Sequence, residues 1–137
     1  MTRITGGCLC GAVRYESCGP ALMALRCHCR DCQYLSGGEP ADALVVPSAS
    51  LRRVKGEDRF YWTHADSGTR VFRSFCAQCG TPLFAGNTAH PEAIAIKLGS
   101  LDEPSKYPPT SHIWTASAQS WHYIDPQQPA FERNPPG

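Results

Sequence analysis

Residues 73–83 read Arg-Ser-Phe-Cys-Ala-Gln-Cys-Gly-Thr-Pro-Leu, and they place Cys76 and Cys79 at the end of a strand-like run. The glycine that follows, Gly80, favours a tight turn in which backbone amides point at the two sulfurs. A second stretch, Cys8-Leu-Cys10-Gly11, has the same order of cysteines and glycine before a hydrophobic run. Together the two stretches supply four thiolates, which is the ligand set of a structural zinc site. The pattern predicts that a metal ties the first strands to the middle of the chain.

A third group of cysteines, Cys27, Cys29 and Cys32, lies between these two pairs. Its C-x-C-x-x-C spacing can hold zinc where a strand runs into a helical turn. A three-ligand site leaves one coordination position open, as catalytic zinc sites do. A thiol that enters this position loses its proton near neutral pH, because the metal favours the anion. We therefore expect two zinc ions per chain: a structural one on Cys8, Cys10, Cys76 and Cys79, and a catalytic one on Cys27, Cys29 and Cys32.

The spacing of the eight cysteines argues against a disulfide scaffold. Seven of them lie two or three residues from another cysteine, a separation that chelates metal well but seldom allows neighbours to form a disulfide. The first residues have no apolar segment typical of a secretory signal, and no run approaches the ~20 apolar residues that span a bilayer. We expect a reducing, cytoplasmic location, where thiols stay available to metal.

Other residues can also complete the second site. Cys18 would close it as a fourth ligand, but its Ser-Cys-Gly-Pro setting favours a turn tip with a free or half-buried thiol. His28 sits between two ligands and is expected to face away from them, in packing or hydrogen bonding. The remaining histidines are expected at the surface; they are His64, His90, His112 and His122.

Short runs of β-branched and aromatic residues predict a mainly β domain with antiparallel strands. The candidate strands are 12–15, 44–46, 59–62, 70–75, 82–84 and 94–98. No long window keeps a helical stripe, so the only helices expected are short ones at 31–35 and directly after Pro47. The length of 137 residues suits one domain. We place it at 1–125, followed by a proline-rich surface tail at 126–137 that Phe131 can anchor.

The net charge of the sequence gives no reason to expect a nucleic-acid partner. The formal net charge is +1 and the sequence pI is about 7.6, so nothing favours binding to nucleic acid. The longest basic run is the pair Arg52-Arg53. A zinc-ribbon-like nucleic-acid binder is therefore the weakest of the functions that fit the cysteines.

The order of these motifs resembles the glutathione-dependent formaldehyde-activating enzyme family, also called the GFA/CENP-V domain. The matching segments cover nearly the whole chain; they are 6–15, 27–33, 36–37, 73–81, 99–102, 112–114, Trp121 and 129–131. The resemblance implies an Mss4-like fold of several small antiparallel sheets, with two zinc ions divided between the cysteines as above. It also implies a carbon–sulfur lyase activity in which glutathione adds reversibly to formaldehyde. A small thiol and an aldehyde are then the expected partners.

Glutathione carries two carboxylates, so its pocket should present cationic groups. The candidates are Arg14, Arg30, Arg73 and Lys97, although each also fits a strand face with its head group in solvent. Trp62, Trp114 and Trp121 can wall a pocket or lie in the core. The alternative function is a non-enzymatic zinc module that binds a protein partner, which requires a closed second site and an exposed apolar patch.

Overall fold

The computed structural model describes residues 3–135, which form two β-sheets. The smaller sheet has three antiparallel strands, in spatial order β1 (Ile4–Gly7), β2 (Arg14–Ser17) and β5 (Leu51–Lys55). The strands of the larger sheet, in chain order, are β3 (Met23–Cys27), β4 (Ala41–Pro47), β6 (Asp58–His64), β7 (Arg70–Cys76), β8 (Pro82–Asn87), β9 (Ala93–Lys97) and β10 (Ser111–Ile113). Their spatial order is β10-β3-β4-β9-β8-β7-β6, and only the β10–β3 pair is parallel.

The mainly β prediction is confirmed, with one difference in how the strands assemble. Most of them join a single seven-stranded sheet instead of several small ones. The single α-helix of the described residues, α1 (Arg30–Leu35), and a 3-10 turn at Ser48–Ser50 lie where short helices were predicted. No helix within residues 3–135 is long and apolar enough to cross a membrane.

The hydrophobic core lies between the two sheets. Tyr15 of β2 meets Phe84 of β8 edge-on, with ring centroids 4.9 Å apart, and its hydroxyl lies 2.6 Å from the Oγ atom of Ser100. Both aromatic side chains are almost completely buried. Such aromatic contacts stabilise a core beyond the area they bury, so this pair fixes how the small sheet sits on the large one.

The large sheet has a second face, on the side away from the core. Residues paired across neighbouring strands point to the same side of a sheet. Register therefore places four alanines together on this second face, here called the alanine face: Ala41, Ala43, Ala85 and Ala95. Cys27 is paired with Ala41, Lys97 with Ala43 and Arg73 with Ala85. One cysteine of the second group and two cations thus rise from the same face.

The proline-rich C-terminal segment lies along β10. The backbone N–H of His112 donates to the carbonyl of Pro129 at 2.9 Å, and the N–H of Phe131 donates back to the carbonyl of His112 at 2.9 Å. Phe131 itself is half-buried. The boundary at residue 125 stays a prediction, but this segment continues the hydrogen bonding of the large sheet.

Candidate metal centres

The four cysteines of the first group meet where the two sheets join. The sulfurs of Cys8, Cys10, Cys76 and Cys79 all lie within 4.8 Å of one another. Cys10 Sγ is 3.8 Å from Cys76 Sγ and 3.7 Å from Cys8 Sγ. A tetrahedral zinc ion with Zn–S bonds of about 2.3 Å separates its sulfurs by about 3.8 Å, whereas a disulfide needs about 2.05 Å. The spacing fits a four-sulfur metal site and no disulfide.

The turns that present these sulfurs each end in a left-handed glycine. Gly11 and Gly80 adopt φ values of +81° and +77°, a left-handed conformation that favours glycine. The N–H of Gly11 donates to the carbonyl of Cys8 at 3.1 Å, and the N–H of Gly80 donates to that of Cys76 at 2.9 Å. Each glycine therefore reverses the chain directly after its second cysteine, as the sequence predicts.

Backbone amides point at the sulfurs of this group. Val13 N–H donates to Cys8 Sγ at 3.2 Å, and Gln78 N–H donates to Cys76 Sγ at 3.4 Å. A hydrogen bond donated by the hydroxyl of Thr81, 3.1 Å away, is the main cause that lowers the pKa of Cys79 to about 5. Donors directed at sulfur stabilise its anionic form, so the site is built for thiolates.

The second group has only three members. Cys27 ends β3, Cys29 caps α1, and Cys32 lies in the first turn of that helix, with its N–H donating to Cys29 Sγ at 3.4 Å. Their three sulfurs lie within 4.8 Å of one another. Hydrogen bonds from the thiols of Cys27 and Cys32, then the backbone N–H of Cys32 and last the charge of Arg73, lower the pKa of Cys29 to about 2. The group already favours one thiolate, which is the form that binds metal.

No fourth ligand joins this second group within residues 3–135. Cys18 is exposed in the turn after β2 and belongs to neither cluster. None of the five histidines contributes a ring nitrogen to either cluster of the described chain. A metal held by these three sulfurs would have a coordination position open for an external ligand.

Residues 3–117 match the family model described as glutathione-dependent formaldehyde-activating enzyme. The chain belongs to this family. It is also similar to a protein from Rhodobacter sphaeroides whose crystal structure is known, with a TM-score of 0.57 and 20% sequence identity. The alignment covers 93% of this chain and 98% of that one. At this identity the likeness shows a shared fold.

In this member of the formaldehyde-activating enzyme family, a chain of three histidines supports the second cluster. His28 is fully buried, and its two ring nitrogens lie 3.0 Å from His112 Nδ1 and 3.2 Å from His122 Nδ1. The ring of His28 therefore faces the other two histidines and takes part in hydrogen bonding, as predicted. The prediction of a surface position was wrong for His112 and His122, which are 2% and 8% exposed. The sequence gives no signal for this cluster, because His28 lies 84 residues from His112 and 94 residues from His122.

Backbone groups at both ends of this row of three histidines fix the direction of each hydrogen bond between the rings. The N–H of Asp125 donates to His112 Nε2 at 3.2 Å, so the proton of His112 sits on Nδ1 and is donated to His28 Nε2. His28 Nδ1–H then donates to His122 Nδ1, which also accepts from the N–H of Gln119 at 3.2 Å. His122 Nε2–H ends the chain on the carbonyl of Gly38 at 2.8 Å. All three rings are neutral in this arrangement.

Gln33 of α1 closes the polar network behind the second cluster. Its side chain is buried and donates to the carbonyls of His28 and Ser117 at 2.8 and 3.0 Å. Its Oε1 atom accepts from Arg30 Nη1 at 2.6 Å and from Gln119 Nε2 at 3.0 Å. Both N–H groups and the oxygen of the Gln33 side-chain amide have hydrogen-bond partners. The amide therefore holds α1 against the C-terminal part of the protein.

The predicted cationic residues divide into two groups. Arg14 forms an ion pair with Asp102, with Nη1–Oδ1 at 2.9 Å, and Arg30 is exposed and bonds to Gln33. Arg73 and Lys97 instead rise from the alanine face beside the second cluster. These two therefore share a sheet face with Cys27 of the three-cysteine site.

The three tryptophans stand in different settings. The guanidinium carbon of Arg70 lies 4.4 Å from the centroid of the Trp62 ring. Trp114 Nε1–H donates to Asn134 Oδ1 at 2.8 Å. Trp121 is 64% exposed and meets the ring of His122 edge-on, with centroids 4.7 Å apart. Of the three, Trp121 is tied to the histidine chain that supports the second cluster.

Proposed function

We propose that this protein is a zinc-dependent enzyme of the carbon–sulfur lyase type that acts on thiol–aldehyde adducts, with glutathione and formaldehyde as substrates. The sulfur of glutathione forms the new bond to the aldehyde carbon, and the aldehyde oxygen takes up the proton that the thiol releases. The reverse reaction breaks the same carbon–sulfur bond. The observation that carries the proposal is the difference between the clusters, since the first has four cysteines and the second has three.

The three cysteines of the second cluster suit catalytic zinc. Bound there, the metal supplies a Lewis acid that favours the anionic form of an entering thiol. Cys27 is held by β3, and Cys29 and Cys32 are held by α1 and its cap. Ligands on regular elements keep their geometry when a substrate enters. The histidine chain and Gln33 hold the backbone of these ligands from behind.

The free cysteines support a reducing compartment for this reaction. All eight are unpaired, which suits the cytoplasm, where glutathione keeps thiols reduced. In such a compartment both the thiol substrate and the three cysteines of the second cluster stay reduced. We therefore place the protein in the cytoplasm with a small thiol and an aldehyde as its partners.

Counting metal and measuring turnover together test the proposal. Zinc per chain is measured by elemental mass spectrometry on protein purified without chelators, and we expect two. Cys29→Ser should keep one zinc, remain folded and lose turnover of glutathione and formaldehyde. Cys18→Ser is the matched control, because Cys18 lies outside both clusters, and it should keep two zincs and full turnover.

Two outcomes would contradict the enzyme assignment. Unchanged turnover in Cys29→Ser would remove the second cluster from the chemistry. A second site that retains zinc but supports no turnover with any thiol would favour the alternative, a zinc module that binds a protein partner.

A further inference from the structure

Lys97 is a buried cation without a partner. The residue is 9% exposed, and within residues 3–135 no carboxylate lies within 4.0 Å of its ammonium group. Register places it on the alanine face beside Ala43, and its charge acts on the sulfur of Cys32. A charge that is largely withdrawn from water is stabilised by an opposite charge beside it. The position calls for an anion near the second cluster.

Arg73 is a second buried cation on the same face. Its side chain is 13% exposed, and its Nε atom is buried with no hydrogen-bond partner in the described chain. Nη1 donates to Thr63 Oγ1 at 3.2 Å, while Nη2 lies 3.8 Å from Asp31 Oδ2 on α1. The side chain of Asp31 is 62% exposed, so water screens this longer contact. Arg73 therefore reaches the helix of the second cluster with most of its charge uncompensated.

The formal charge of a metal-loaded second cluster can be compared with the charge of Lys97 and Arg73. Three thiolates and one divalent ion carry −1, and a fourth anionic ligand brings the second site to −2. The first cluster reaches the same −2 with four thiolates, but Cys10 and Cys79 are exposed to water. The second cluster has Cys32 buried and its other two cysteines half-buried, so its charge needs compensation from the protein. Lys97 and Arg73 supply +2, which equals the negative charge of the site once an anion fills the open position.

We propose that Lys97 and Arg73, the cation pair, make the open position of the second cluster selective for an anionic ligand, a thiolate in the reaction proposed above. The inference rests on that function for the identity of the anion and on the buried cations for the selectivity. The cation pair also distinguishes substrate from product. The sulfur of a thiol–aldehyde adduct carries no charge, so the cation pair holds the free thiolate more tightly than the adduct and promotes release of the adduct.

Ligand binding to the cobalt-substituted protein tests this without an activity assay. Cobalt in a site of three cysteines has absorption bands that change when the fourth ligand changes. The wild type is titrated with azide as an anion, imidazole as a neutral donor and 2-mercaptoethanol as a thiol. The variant Lys97→Met keeps the length of the side chain and removes a buried charge, so it should fold. Lys55→Met is the matched control, because Lys55 is exposed on the small sheet.

We expect Lys97→Met to reduce the affinity for azide and 2-mercaptoethanol about tenfold or more, with imidazole unchanged. Arg73→Met should act in the same direction, and Lys55→Met should leave all three affinities unchanged. An azide-to-imidazole affinity ratio that is the same in wild type and both cation-pair variants would overturn the inference. If 2-mercaptoethanol fails to bind while azide binds selectively, the proposed thiol chemistry fails and the anion selectivity stands.

Discussion

His28 Nε2 accepts a hydrogen bond from His112 Nδ1 at 3.0 Å, which ties the residue between Cys27 and Cys29 to β10, the edge strand that pairs with β3. His28 is fully buried and His112 nearly so. An unmet ring nitrogen in this position is costly. The local geometry of the second cluster therefore depends on polar groups contributed by the last third of the chain.

The first prediction concerns the protons on these rings. The backbone partners require the Nδ1–H tautomer at His28 and His112, and the Nε2–H tautomer at His122. Nitrogen-15 shifts of the imidazoles in the metal-loaded protein measure this directly. A proton on Nε2 of His112 would contradict the assigned direction. The exposed ring of His64 serves as an internal reference.

Removing one ring should weaken the fold and the second metal site together. In His112→Leu the N–H of Asp125 and the ring of His28 both lose a partner. Unpaired buried polar groups cost about 1–3 kcal/mol each, so the free energy of unfolding should fall by at least this amount. Competition with a chelator should show weaker binding at one of the two sites. His90→Ala, at an exposed position, should stay within about 0.5 kcal/mol of wild type.

Stability should fall on acidification because of the same rings. Burial, followed by the nearby His112 and His122, lowers the pKa of His28 to about 4, and burial also lowers that of His112. An unfolded histidine titrates near pH 6.5, so the unfolded chain binds more protons below that pH. The contribution to stability is complete above about pH 6.5 and is lost as the pH falls toward 4.

Thermal unfolding midpoints between pH 8 and 5 measure this dependence. Both proteins are measured in saturating zinc, so that the weaker second site of His112→Leu stays filled and the difference between them reports the rings. The slope should be smaller in His112→Leu and unchanged in His64→Gln. Equal slopes in all three proteins would show that the buried rings do not titrate as described.

Sequence predicts the local parts of this structure and misses those that depend on distant partners. The Cys-x-Cys-Gly and Cys-x-x-Cys-Gly turns, the short helix after Cys29 and most central strands carry their signal within a few residues. Strand β1 contains two glycines and β5 is largely basic, so neither shows a hydrophobic alternation. The buried positions of His112 and His122 depend on His28, far away in sequence. Nothing near either residue indicates such a partner.

Gly80, in the turn after Cys79, allows a test in which only backbone conformation changes. A Cβ atom at Gly80 meets no atom within 4 Å, but φ there is +77°. Gly80→Ala should therefore cost about 1 kcal/mol of stability from backbone strain alone. Gly99 has equally open surroundings without the positive φ, so Gly99→Ala should be close to neutral. Equal free energies of unfolding for the two variants would mean that the turn relaxes.

Loss of a first-cluster ligand should affect the whole molecule. Cys76 is buried and its sulfur is 3.8 Å from that of Cys10 on the other sheet. Cys76→Ser removes a ligand from the site that joins the sheets, and structural zinc sites contribute directly to folding. Circular dichroism and metal content should show an unfolded or metal-free protein. Cys18→Ser removes an exposed thiol and should match wild type in both measurements.

The position of the two sites along the chain sets the order in which they are completed during synthesis. The four-cysteine site has all its ligands once Cys79 has left the ribosome. The three-cysteine site has its sulfurs earlier, at Cys32, but its histidine chain needs His112, His122 and the backbone of Asp125. The four-cysteine group can therefore assemble first, and the three-cysteine group gains its supporting histidine network only when translation is nearly finished.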